Sequence, residues 1–258
     1  MNLIGPVNPV GLDCIAEAIL NEKEELPKPE KEEETTQVVI HQPVSAIQNL
    51  DRYILLEGRD HGDYSYPDLL ISMDKSHARM SWYETHAALA RNGSYMLTIR
   101  QFADLLALLK SGQAFDGSGK LLGKSVSENI FDEIVARSNV SQSEWLDAKF
   151  SRKGLAQKLY ITYHKIRASG ILDEVTEPLD KCLSWSKKPG IDINFWLDSS
   201  TLQGMPGNHA PDGDVYYLCP RNGKVASFTA YADKVIFSCR EDPHLLRYEL
   251  GTHSVRLK

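Results

Sequence analysis

The chain has 258 residues, of which 42% are hydrophobic and 25% charged, with a formal net charge of −6. That length suffices for one large domain or two small ones, and the acidic balance argues against a nucleic-acid surface, which needs a basic stripe to neutralise phosphates. No apolar run approaches the roughly 18 residues of a spanning helix, and residues 1–9 lack the charged flank and apolar length of a signal peptide, so a cytoplasmic or virion-associated protein with no membrane contact is expected.

Leu12, Ile15, Ala16, Ile19 and Leu20 recur at helical spacing and predict a short helix within 11–26. Two prolines and a glutamate run follow, up to Gln37, and such a stretch has nothing to bury. Residues 1–37 therefore read as an N-terminal helix on an acidic mobile linker, with the helix docking on the body, on a protein partner or on a second copy. Residues 38–258 read as one α+β domain. Structure resumes near Val38–Ile40. Tyr53–Glu57 and Asp68–Met73 read as strands, separated by the polar loop 58–63. Residues 81–91 read as a helix with Trp82, His86 and Leu89 on one face, ended by Asn92-Gly93. Thr98 and Gln101 form a capping box that opens a second helix. Its stripe is Ile99, Phe102, Leu105, Leu106 and Leu109, and Gly112 stops it. The pairs Ser125/Glu128 and Ser141/Glu144 predict two more helices, the second carrying Trp145 and Phe150, so the middle of the domain, about 103–185, is expected to be helical. Residues 155–167 fit either a strand or a helix. Residues 187–213 are rich in Gly, Pro, Ser, Asn and Asp and read as packed loops. Asp214–Cys239 reads as a β-meander, closed by a segment at Leu250–Arg256. The expected fold class is α+β, with helices flanking a small antiparallel sheet.

The four cysteines, Cys14, Cys182, Cys219 and Cys239, contain no CxxC pair. If the meander strands adjoin in chain order, a strand separates Cys219 from Cys239. Their spacing is then about twice 4.8 Å, beyond disulfide reach. Ser118–Ser125 nearly spells a phosphate loop but lacks the first glycine and a preceding strand, so it reads as a Gly/Lys connection. Asp60-His61-Gly62-Asp63 is the densest cluster of groups that ligate hard or borderline cations. His77, His86, His209, Asp212 and Asp214 could complete a site by tertiary proximity. Glu84 and His86, two apart on a helix, cannot chelate together. No Gly-x-Ser-x-Gly elbow is present. On the meander, Ala226, Phe228 and Ala230 share the core face, and Tyr231 belongs to the face that could recognise a ligand.

Two stretches together resemble the C-type-lectin-like fold, in the branch of formylglycine-generating enzymes and retroelement variable proteins. They are Met80–Phe102, with its Ser-Trp helix, Gly turn and Leu97-Thr98 segment, and Val225–Arg256, with Cys239-Arg240, Pro243 and a closing Ser254-Val-Arg. The resemblance covers about a fifth to a quarter of the chain and implies a helical insertion over 103–213. It carries no catalytic residue, because the paired cysteines of those enzymes are missing. The expectation is a non-enzymatic ligand- or partner-binding protein, of viral or mobile-element kind, that displays loops on a lectin-like scaffold. Its candidate ligand contacts are Asp60, His61, Asp63, His209 and Tyr231, without cofactor or metal. The alternative is a metal-assisted hydrolase or other small-molecule enzyme built on His61 and Asp63.

Overall fold

A computed structural model describes residues 47–135, 142–167, 169–184, 190–231 and 234–258. The helix expected within 11–26, the acidic linker, the start at Val38–Ile40 and Cys14 lie outside these residues. The first part of the described chain contributes β1 (Tyr53–Leu56), β2 (Arg59–Asp60), β3 (Ser65–Tyr66), β4 (Leu69–Ser76), β5 (Tyr95–Met96) and β6 (Phe115–Asp116). The second contributes β7 (Gln142–Lys153), β8 (Lys158–Ile166), β9 (Leu172–Pro178), β10 (Val215–Leu218), β11 (Val225–Tyr231), β12 (Lys234–Glu241) and β13 (Leu250–Leu257). The helices are α1 (Trp82–Arg91), α2 (Ile99–Ser111), α3 (Lys124–Val135) and α4 (Ile193–Ser199).

An 11-stranded mixed sheet dominates, in the order β10-β12-β11-β7-β13-β4-β1-β6. β5 pairs β13, and β8 joins β7 to β9. The β2–β3 hairpin stands apart. Pairing is antiparallel except between β10 and β12 and between β13 and β7. This overturns the small antiparallel sheet flanked by helices, and β7, β8 and β9 overturn the helical middle expected over about 103–185. Residues 142–166 form two long strands where the Ser141/Glu144 box predicted a helix. Asp214–Cys239 is not a simple meander either, because β10 lies beside β12 rather than β11. The box failed because Ser143, Glu144, Trp145 and Leu146 are all buried, with β11 on one edge and β13 on the other, and sheet burial overrides a local capping pattern.

Helices α1 and α2 form where the apolar faces and end signals predicted them. Ser81 with Glu84, and Thr98 with Gln101, make complete capping boxes, and Gly112 closes α2 in the left-handed region. The main core joins α2 and α4 to the sheet. Phe102 meets Phe228 at 5.1 Å between ring centroids, and Trp196 stacks on Phe237 at 4.9 Å. Each such aromatic contributes roughly 1.5–3 kcal/mol by leaving water. A second cluster, holding Trp82, Leu89, Met96, Trp145, Val225 and Leu250, seats α1 on the sheet. Among the described residues no helix is long and apolar enough to cross a membrane.

One glycine makes the closest backbone approach to α2. Gly204 has φ +85°, and a Cβ there would lie 2.5 Å from the Arg100 backbone nitrogen. Its carbonyl accepts the Trp196 indole N–H at 2.8 Å. Gly204→Ala is expected to destabilise by roughly 2–4 kcal/mol, from left-handed strain and overpacking together. A urea midpoint unchanged from the parent would contradict this.

Candidate metal centre

The α1 capping box starts the helix, and the Trp82 indole N–H donates to the Leu146 carbonyl at 2.9 Å, docking the helix on β7. One turn on, His86 shares the Trp82 face, with the two rings 4.1 Å apart. Along β7, residues 143–144 pair β13 and residues 149–153 pair β8. Between these two pairings the Asp147 N–H donates to the Leu97 carbonyl at 2.8 Å. Asp147 thus sits where the sheet branches.

The β7–β8 register, continued from Lys149↔Thr162, brings Asp147 opposite His164. There the carboxylate replaces the backbone ladder: Asp147 Oδ2 accepts the His164 backbone N–H at 2.7 Å. His164 Nδ1 lies 3.1 Å from both carboxylate oxygens. His86 Nε2 lies 3.3 Å from Asp147 Oδ1. It is buried and makes no hydrogen bond among the described residues.

The ligand atoms of His86, Asp147 and His164 fall within 4.8 Å of one another. Two nitrogens and a carboxylate oxygen on a tetrahedral zinc would stand about 3.3 Å apart, given arms near 2.05 Å. The observed separations of 3.1 and 3.3 Å fit that edge. Asp147 is fully buried, whereas the imidazole side chains keep 16% and 22% exposure. Glu174 of β9 pairs with His164 across the ladder and is exposed.

Burial alone would push the Asp147 carboxyl up, but His164 and His86 beside it outweigh burial and hold it well below the usual range. Burial disfavours the His164 cation, yet Asp147, with Glu174 behind it, raises its pKa. For His86 burial wins and the pKa falls. A carboxylate, one imidazole inclined to keep a proton and one inclined to stay neutral make up the group.

The loop singled out by sequence goes elsewhere. His61 Nε2 lies 2.9 Å from Asp104 Oδ2, and the same buried carboxylate accepts from Tyr66 Oη at 2.6 Å, Arg100 Nη2 at 2.8 Å and Arg59 Nη1 at 3.2 Å. This network ties the β2–β3 hairpin to α2. Asp60 accepts the Gly62 N–H at 2.8 Å, and Asp60 and Asp63 are both exposed. His209 is half-buried in the loop after α4, and Tyr231 is half-buried at the end of β11. Neither belongs to the group of converging ligand atoms; among the described residues that group is His86, Asp147 and His164. Sequence reasoning placed His86 on the right helix face but missed Asp147 and His164. No protein-family profile, curated protein or solved structure matches the chain.

Proposed function

We propose that this protein binds one divalent transition metal at His86, Asp147 and His164 and uses it for metal-assisted hydrolysis. The observation that supports this most is the convergence of one ligand atom each from His86, Asp147 and His164 within 4.8 Å, with His86 Nε2 buried and held only by its 3.3 Å ion-pair contact to the carboxylate. A buried polar atom left so is costly, and a cation between the three groups would satisfy all of them. Three protein ligands leave a coordination position for water, the arrangement of catalytic rather than structural zinc sites. A metal there would lower the pKa of its bound water towards neutrality. The Asp147 Oδ2 contact to the His164 N–H fixes the carboxylate, as supporting groups around metal ligands do. Glu174 pairs with His164 across the β8–β9 ladder and is exposed, and it is the candidate to accept a proton from such a water.

The test is elemental analysis of protein purified without chelator, with thermal shifts on adding zinc, manganese or iron(II). About one metal per chain is expected. At a hundred times the dissociation constant the metal should stabilise by about 2.7 kcal/mol, a rise of roughly 5–10 °C in Tm. His86→Ala and His164→Ala should each remove the shift. Less than about 0.1 metal per chain with no shift would overturn the reading, since binding to the folded state must stabilise it. The binding or assembly role expected from the sequence would then stand in its place.

A further inference from the structure

We propose that Cys219 and Cys239 form a reversible disulfide on exposure to peroxide, independently of the metal centre. The parallel ladder of β10 and β12 pairs Val215 with Val235, Tyr216 with Ile236, Tyr217 with Phe237 and Leu218 with Ser238. One more step of that register sets Cys219 beside Cys239. This reverses the sequence expectation, in which a strand lay between them. Neighbouring strands run about 4.8 Å apart, inside the 4.4–6.8 Å Cα window of disulfides.

Both cysteines belong to the main hydrophobic core. Val215 and Tyr217 on β10, and Val235 and Phe237 on β12, are buried on the core side, and Cys219 and Cys239 continue that alternation. Cys219 is 6% exposed and Cys239 is fully buried. The Arg240 guanidinium reaches both ends of Cys219: Nη2 lies 2.8 Å from its Sγ, and Nε donates to its carbonyl at 2.9 Å. The guanidinium donates to that sulfur, and Cys219, the less buried of the two, is the one a peroxide reaches first. Burial pushes the Cys239 thiol up, so Cys239 takes the resolving role.

The Cys219 thiolate attacks one peroxide oxygen and hydroxide leaves, giving the sulfenic acid. Cys239 sulfur attacks the sulfenyl sulfur, the S–O bond breaks, and the departing hydroxide takes the Cys239 proton. Two thiols lose two electrons, hydrogen peroxide gains them, and two waters form. The bridge would fasten β10 to β12.

The experiment treats the full chain, carrying Cys14→Ser, with stoichiometric hydrogen peroxide and maps the cysteines by mass spectrometry. The expected product is lighter by about 2 Da, with a Cys219–Cys239 bridge that dithiothreitol reverses and a Tm higher by several degrees. In Cys239→Ser, Cys219 should stop at a sulfenic acid that dimedone captures. In Arg240→Gln the oxidation should slow several-fold. A bridge through Cys182, over-oxidation of Cys219 beside an intact Cys239 thiol, or no loss of thiol would each overturn the proposal.

Discussion

Replacing Asp104 with alanine is expected to destabilise the fold by about 3–5 kcal/mol, the range for breaking a buried ion pair from one side. Asp104 is 1% exposed and is the common acceptor for Tyr66, Arg100, Arg59 and His61. The four groups do not lose equally. The Arg59 side chain is 42% exposed, so water screens its share. The Arg100 side chain is 6% exposed. It keeps its contacts to Ser200 Oγ and the Thr201 carbonyl, but its charge would be left buried without an anion. Most of the loss therefore belongs to Arg100. Double-mutant cycles should show it: coupling of Asp104 to Arg59 below about 1 kcal/mol, and coupling to Arg100 at least twice that. Hydrogen exchange should also quicken at Tyr64 and Tyr66, whose hairpin the network ties to α2. A urea-derived loss below about 1 kcal/mol for Asp104→Ala would mean the carboxylate is dispensable.

Asp147→Asn is expected to abolish metal uptake, weakening affinity by more than about 100-fold, since changes to the groups that merely support metal ligands already cost 10–100-fold. It should also change how stability depends on pH. In the parent, the folded Asp147 pKa is depressed, so its contribution is present above the unfolded value of about 3.9 and is lost as pH falls through the folded one. His164 is raised by Asp147, so its contribution is full below about 6.5 and is lost as pH rises through the folded value. His86 is lowered by burial, so the unfolded chain holds that proton more tightly and stability drops below about 6.5. The two histidines oppose each other near neutrality, and the steep loss falls in the acid range. In Asp147→Asn that acid loss should shrink. With the carboxylate gone and burial retained, His164 should titrate below an exposed histidine rather than above one. Imidazole NMR titration measures this directly; an unmoved His164 titration would mean that Asp147 does not set its charge. Because a metal must displace the His164 proton, parent metal affinity should rise with pH.

Helices α1 and α2 were legible because their signals are local, whereas α4 lies in the stretch 187–213 that reads as loops. Thr98, Gln101 and Gly112 mark α2 with chemistry that acts over a few residues, and the alternation of Ala226, Phe228 and Ala230 marks a strand in the same way. The site was not legible because its members meet through register. His86 could be placed on a face of α1, but nothing local says what that face meets. His164 lies in a run whose apolar residues fit both periods, although Tyr160, Ile161, Thr162 and Tyr163 are the types that favour a pleated surface. Asp147 was hidden by a serine and a glutamate three apart, which mimic a helix start. His61 and its neighbouring acids drew notice by density alone. Burial of Asp104, set by α2, turned that histidine into a tie between elements. Cys219 and Cys239 were misjudged because strand order is a global property: a parallel pairing of β10 with β12 reverses the adjacency that chain order suggests.

β13 lies between β7 and β4, and so joins the two halves of the sheet. Its parallel contact with β7 spans two residue pairs, Leu250↔Ser143 and Gly251↔Glu144. The Glu144 carboxylate reinforces it, accepting from the His253 backbone N–H at 3.0 Å and lying 2.8 Å from its Nδ1. More than a hundred residues separate these partners along the chain, and loop closure over that distance precedes any gain from the contact. The sheet is therefore expected to zip last at its middle and to fold slowly for the size of the protein. Until β13 arrives, β4 and β7 each carry an open edge, and two such edges on separate molecules can pair with one another. The seam that completes the sheet is also the place where a crowded or hurried refolding would yield intertwined chains.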